Sequence, residues 1–265
     1  MSRTVGWDGW AKVYRGLEFL LLGRTLARTR RSAPELLPHR VREPEKAGNG
    51  RNPDPSPDPE RWLLLGCGDG RGLVQILNIR RHPMVDVVDV SPGMLRAARR
   101  RVEAQGQGGR VRWFRGDLRL GLEAAVPFPP GEDLDPAGLS RSPEGELRAR
   151  YDGVVTPFFL DCFTETELLA WWSGVAARVE PGGWWLVSDF QPPGRLRAWP
   201  GLRQRALLGL LYPAFRWTTQ MRARRLPDLE TPFRRAGWIR ELHRGSRSCI
   251  TGTTLWRKPG ELRDP

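Results

Sequence analysis

The 265-residue chain has little of what builds metal or disulfide chemistry. Its three cysteines, Cys67, Cys162 and Cys249, lie far apart with no CxxC pairing, and its three histidines, His39, His82 and His243, are as scattered. A zinc site needs clustered ligands, so no metal is expected. Three unpaired thiols suit a reducing compartment, which makes a cytoplasmic location the expectation. No stretch approaches the ~20 consecutive apolar residues of a membrane span. The opening MSRTVGWDGW lacks the charged-then-apolar layout of a signal peptide. Lysine is scarce too: only Lys12, Lys46 and Lys258 among 43 basic residues. The net charge of +13 points toward a polyanion. Arginine replacing lysine this thoroughly reads more simply as compositional bias, so a nucleic-acid partner stays open but is not favoured.

With 39% hydrophobic residues the chain can bury one sizeable core. Residues 1–37 read as N-terminal cap or lid helices, since GLEFLLLGRTLARTRR sets Leu17, Leu20, Leu21, Leu26 and Ala27 near helical spacing. Residues 38–60 hold almost no large apolar side chain and read as a flexible linker or insertion. Residues 61–259 read as the main domain, interrupted by an irregular insertion at 127–150 that is rich in Pro, Gly and charge.

Within that domain strands and helices alternate. RWLLLG is a short buried strand and GLVQILNIRR opens a helix. MVDVVDV is a second strand, followed by a helix with Ser91 as N-cap and Pro92 in its first turn. VRWFRGD and YDGVVTPFF are further strands, and TETELLAWWSGVAARVE is a helix with Thr164 and Glu167 spaced for a capping box. That helix stops at PGG, and WWLVSDF is a fifth strand. The tail predicts a helix from about Leu202, another over 232–236, and two closing strands in GWIRELHRG and CITGTTLWRK. Near-continuous apolar strands alternating with helices predict an α/β fold, a doubly wound and mostly parallel sheet covered on both faces.

In GCGDG, residues 66–70, three glycines fall where the first strand ends and a helix begins. Ligands of a doubly wound sheet sit there, because glycine admits a close backbone approach and the helix start offers free N–H groups. Asp89 ends the second strand about twenty residues later, where a carboxylate can accept hydrogen bonds from both ribose hydroxyls. Asp117 ends the third strand beside the same crevice. Either acid taken alone could be a helix cap or a surface aspartate. A nicotinamide dinucleotide fits poorly: its fingerprint is G-x-G-x-x-G, and Arg71 stands where the third glycine belongs.

These stretches resemble the class I S-adenosylmethionine-dependent methyltransferases. LLLGCGDGRG is similar to the family's first motif, VVDVSPGML to its second, FRGDL to its third, YDGVVTPFFLDCF to the fourth-strand motif, and ARVEPGGWWLVSDF to the approach to strand five. The resemblance implies a Rossmann-like sheet of seven strands whose last hairpin brings one strand in antiparallel. It implies S-adenosylmethionine as cofactor, with Gly66, Cys67, Gly68, Asp69 and Gly70 along the methionine and ribose portion. It also implies Asp89 on the ribose hydroxyls, Met94 near the adenine, Asp117 on the adenine amino group with Leu118 beside it, and Thr156 by the methionyl end. Leu64 departs from the family, many of whose members carry an acid there; Asp69 or a water is then expected to substitute.

Methyl transfer needs an acceptor held in line and water kept out, and a general base only where the acceptor loses a proton. Asp161 is the candidate for that base or for acceptor orientation, the alternative being a cap on the following helix. Tyr14, in the lid region, is the second catalytic candidate. The tryptophans, Trp171, Trp172, Trp184 and Trp185 among them, sit inside the elements and read as core. The function expected is methyl transfer to a small, hydrophobic acceptor. RNA or protein methylation, and a methyltransferase-like binding protein without turnover, are the alternatives.

Overall fold

Four apolar residues in a row, Trp62 to Leu65, cannot alternate between core and solvent, so they must be covered on both sides, and with Arg61 they form the central strand β1 (Arg61–Leu65). The computed structural model describes residues 29, 33–37, 59–79, 83–129, 145–191, 227–245 and 251–260. Nearly all of the expected cap region, most of the 38–60 linker and the helix expected from Leu202 lie outside the described residues.

After β1 come α1 (Arg71–Ile79), β2 (Met84–Asp89), α2 (Pro92–Glu103), β3 (Val111–Arg115), β4 (Val126–Pro127) and β5 (Tyr151–Pro157). Then follow α3 (Glu165–Ala177), β6 (Val179–Phe190), α4 (Thr231–Arg235), β7 (Ile239–Gly245) and β8 (Thr251–Arg257). The caps form as their residues dictate. Ser91 Oγ accepts from the Met94 N–H at 3.2 Å, and Thr164 and Glu167 form a complete capping box at the start of α3. Each helix turns a stripe inward: Leu73, Ile76 and Leu77 from α1, Leu95, Ala98 and Val102 from α2.

The sheet order is β4-β3-β2-β1-β5-β6-β8-β7. The pairs β1–β2, β2–β3, β1–β5 and β5–β6 are parallel, and β8 enters antiparallel between β6 and β7. The chain thus winds outward from β1 to β3, then crosses to the other side at β5. That reversal makes the carboxyl ends of β1 and β5 a switch point, where a crevice opens. The doubly wound sheet and its closing antiparallel hairpin are as expected.

The strand count is not: eight strands form rather than seven. Val126 and Pro127, read as the lip of an irregular insertion, pair antiparallel with Arg115 and Phe114. The edge of β3 would otherwise be open, and Pro127 is tolerated because an edge strand need not donate on its outer side. The adjacent Phe128 is buried and donates its N–H to the Trp113 carbonyl at 2.8 Å. The PGG stretch differs as well: Pro181–Gly183 lies within β6, where Gly182 donates to the Pro259 carbonyl and Gly183 accepts from Lys258.

Alternate residues of β1 feed two apolar layers. Leu63 and Leu65 join Val154, Trp172, Trp185, Phe233 and Trp256 on one face. Trp62 and Leu64 join Leu73, Val87, Leu95 and Leu186 on the other. Trp171, Trp172 and Trp185 are buried as core. One charge is buried with them. Asp86, fully inaccessible, accepts from Arg112 Nε at 2.8 Å and Nη2 at 2.6 Å, from Tyr151 Oη at 2.8 Å, and from Arg148. Burial, reinforced by the Asp86 charge, pushes the Tyr151 hydroxyl well above its ordinary pKa. Asp86→Ala would strand two arginines, and should cost about 3 kcal/mol in urea unfolding, with Asp86→Asn intermediate.

Candidate active site

The carboxyl ends of the first three strands are tied side by side. Gly66 N–H donates to the Val88 carbonyl at 2.9 Å, and Gly116 N–H to the Asp89 carbonyl at 3.1 Å. Gly66, Asp89 and Asp117 therefore stand in a row along one edge of the sheet.

Asp89 holds that row together. Its Oδ2 accepts the Cys67 N–H at 2.9 Å, 22 residues away in sequence, and its Oδ1 accepts the Ser91 N–H at 2.9 Å. Burial raises the Asp89 pKa, and the backbone donors partly offset that rise. Ser91, not Asp89, caps α2. A carboxylate has four lone-pair sites; the Cys67 and Ser91 N–H groups and the Cys67 thiol use three of them, which leaves at most one for a ligand. The Cys67 thiol lies 3.5 Å from Asp89 Oδ2, and burial followed by that charge pushes its pKa well up. Cys67 is an inert packing group, not a nucleophile.

The loop Gly66–Gly70 needs its glycines for different reasons. All three have positive φ: 74°, 51° and 83° in order. A Cβ on Gly66 would fall 2.3 Å from the Phe159 ring, and one on Gly70 would fall 2.7 Å from Ala98 Cα. Gly70 thus lets α2 close against the loop. Gly68 has nothing within 4 Å of its Cβ position, so the side on which a side chain would stand is open.

Asp69 points elsewhere. Its carboxylate pairs with Arg71 at 3.1 Å and Arg101 at 3.3 Å, and its carbonyl accepts from Arg101 Nε. Its charge is neutralised on the flank of the loop, so it is poorly placed to replace the acid missing at Leu64, itself buried in the second core layer. Asp117 caps the short 3-10 turn Leu118–Leu120, accepting the Arg119 N–H at 3.0 Å. Leu118 is buried and Met94 is partly exposed at the start of α2.

Thr156 does not open to the crevice. It is fully inaccessible, accepts from Trp185 Nε1 at 3.2 Å and donates to the Leu186 carbonyl at 3.4 Å. The strand's alternation turns it into the core one residue too early. The groups reaching the edge are Phe158 and Phe159, which motif reading passed over. Phe158 holds φ +55°, in the left-handed region that bulky residues avoid. Its N–H donates to the Ser188 carbonyl at 2.6 Å, and Phe159 lies against Gly66.

The turn then brings two acids together. Asp161 is buried in the 3-10 turn Leu160–Cys162 and does not cap α3, a task Thr164 performs. Asp189, at the end of β6, is also buried; its Oδ2 accepts the N–H groups of Leu160 at 3.0 Å and Asp161 at 3.2 Å, and its Oδ1 that of Phe190 at 2.8 Å. Burial and then the Asp161 charge hold its carboxyl well above the usual range. Asp189 was legible only as an acid ending a strand, the same signal that marked Asp89. Tyr14 lies outside the described residues. Among the described residues no His, Cys, Asp and Glu group suited to a metal occurs.

Residues 63–185 match the family model described as a methyltransferase domain. Over this stretch the chain is similar to a methyltransferase domain. An uncharacterised methyltransferase of Emericella nidulans is 29% identical over 157 residues, 58% of this chain and 50% of that protein. An O-methyltransferase family 2 protein of Planctomyces limnophilus, solved in complex with apigenin, superposes with a TM-score of 0.57 at 16% identity, covering 92% of this chain and 61% of that one. An O-methyltransferase family protein of Burkholderia thailandensis gives a TM-score of 0.53 at 19% identity, covering 76% and 52%. The chain therefore spans about half the length of its curated relative, and the two structures share its fold.

Two of the glycine positions, 68 and 70, can be told apart. Gly68→Ala meets only the left-handed backbone cost, about 1–2 kcal/mol. Gly70→Ala adds a collision with the α2 backbone and should cost about 1–3 kcal/mol more in denaturant unfolding.

Proposed function

We propose that this domain binds S-adenosylmethionine along the carboxyl ends of β1, β2 and β3 and transfers its methyl group to a small-molecule acceptor. The observation that carries the reading is Asp89: a buried carboxylate at the end of β2 whose bonds fix the glycine loop and which stands where a ribose hydroxyl would meet it. The residues fit the cofactor, since Gly68 keeps a clear approach to the loop backbone and Asp89 and Asp117 stand side by side along the edge. Gly66 to Gly70 would line the methionine and ribose portion, Asp89 the ribose hydroxyls, and Met94, Asp117 and Leu118 the adenine. When bound, the group supplies a methyl carbon already activated by a positive sulfur.

What the chain must add is position, dryness and a place for a proton. Phe158 and Phe159 cover the edge of the turn between β5 and α3. Asp161 sits in that turn with its backbone held by Asp189, and serves as the base when the acceptor oxygen loses its proton. The basic composition does not require a polyanion. Arg99, Arg101, Arg110, Arg112, Arg119, Arg148 and Arg178 are all bonded to carbonyls or carboxylates of the chain itself. A small acceptor also accords with the O-methyltransferase structures that share the fold.

Calorimetry with S-adenosylhomocysteine tests the cofactor edge. Asp89→Ala should weaken binding by about tenfold or more, the loss of a bond to a charged acceptor and of the order it gives the loop. Wild-type affinity in a folded Asp89→Ala variant would refute the assignment. Asp161→Asn should leave that affinity within about twofold and lower kcat by about 10²–10⁴.

A further inference from the structure

A cavity of about 510 Å³ lies beside the Asp161–Asp189 pair, on the face of β6, β8 and β7. Val187 and Asp189 of β6, Thr254 and Trp256 of β8, and His243 of β7 form one wall, and residues 227–234 form the other. Alternate strand residues share a face, so these side chains look into one space.

The turn after β5 joins this cavity to the cofactor edge. On one side Phe159 packs against Gly66. On the other, Leu160 and Asp161 donate to Asp189, which lines the cavity. A molecule in the cavity thus has the acid pair between itself and the glycine loop.

The charged groups of the lining are already engaged, Asp189 by the N–H groups of Leu160, Asp161 and Phe190. Asp228 accepts from the N–H groups of Glu230 and Thr231 and from the Thr231 hydroxyl. Glu230 is paired with Arg234 at 2.9 Å and with Arg240 at 3.0 Å. His243 uses both ring nitrogens, one on Gln191 at 2.8 Å and one on Thr254 at 2.9 Å. A charged guest of either sign would lose its hydration and find its natural partner occupied. Val187, Phe190, Leu229 and Trp256 offer it an apolar surface instead.

We infer that this cavity is the methyl-acceptor site and that it takes an uncharged small molecule with an apolar body, its hydroxyl directed at the Asp161–Asp189 pair. The inference rests on the cofactor edge proposed above. In the transfer, the acceptor oxygen gives its proton to the ionised member of the pair and bonds to the methyl carbon. The electrons of the broken sulfur–carbon bond stay on the sulfur, which becomes an uncharged thioether.

Three probes of one shape test the charge class: 2-naphthol, 2-naphthyl phosphate and 2-naphthylmethylammonium, titrated calorimetrically with and without S-adenosylhomocysteine. 2-Naphthol should bind at least tenfold more tightly than either ion. Thr254→Trp, a strand substitution that fills the cavity, should weaken 2-naphthol at least tenfold while S-adenosylhomocysteine affinity stays within twofold. Leu229→Trp fills the cavity from the opposite wall and should do the same, which covers the case of one variant misfolding. Equal or tighter binding of a charged probe, no binding of 2-naphthol, or wild-type binding by both folded variants would overturn the inference. Failure of the wild type to bind S-adenosylhomocysteine would instead strike the cofactor reading, because the naphthol titration without it stands alone.

Discussion

One carboxylate closes the distance between two chain segments on which the rest depends. Asp89 takes the Cys67 N–H with one oxygen and the Ser91 N–H with the other, joining the glycine loop to the start of α2. A bend through three residues of positive φ has few intrinsic reasons to hold one shape; a buried charged acceptor supplies one. The same burial penalises the ionised form, and the N–H donors return part of that cost. A ligand hydroxyl donating to the lone pair that remains would favour the ionised form further, so the loop order and the proposed ligand contact share one group.

The parts legible in sequence were those that local chemistry determines. Four consecutive apolar residues in β1 require cover on two faces, and Thr164 with Glu167 announces a helix start whatever surrounds it. Asp89 and Asp117 were legible because a strand's end is a fixed place and an acid there has few uses. What escaped depends on phase or on distant partners. Thr156 lies on the right strand but its side chain faces the core, and a one-residue alternation decides that. Val126 and Pro127 carry no strand signal of their own; they pair because β3 leaves an open edge. Asp189 gains its meaning from Leu160 and Asp161, 29 and 28 residues earlier, a relation that only the parallel pairing of β5 and β6 creates.

Charge shows the same limit of composition. A formal +13 suggests a surface built for phosphates, yet many arginines work inside the fold. Arg112 and Arg148 neutralise Asp86 within the sheet, Arg110 bonds the carbonyl that ends α1, and Arg178 bonds the Arg148 carbonyl and Glu123. Guanidinium suits this use because its forked donors satisfy several acceptors from one half-buried position. A chain with almost no lysine draws its internal cross-links from the cation it has.

The strained turn after β5 follows from these constraints together. β5 must end level with β1 for the edge to be continuous, and the chain must then reach α3 on one face of the sheet. Phe159 fills the space left by the missing side chain of Gly66, and Leu160 and Asp161 are drawn to Asp189 on the opposite side. Phe158, between these two anchors, is left with a left-handed backbone costing on the order of 1–3 kcal/mol. Its N–H bond to Ser188 and the edge-on contact of its ring with Phe190, 5.6 Å between centroids, hold it there. A glycine at 158 would relieve the strain and free the turn. A phenylalanine held by these contacts keeps the turn, and Asp161 within it, in one place.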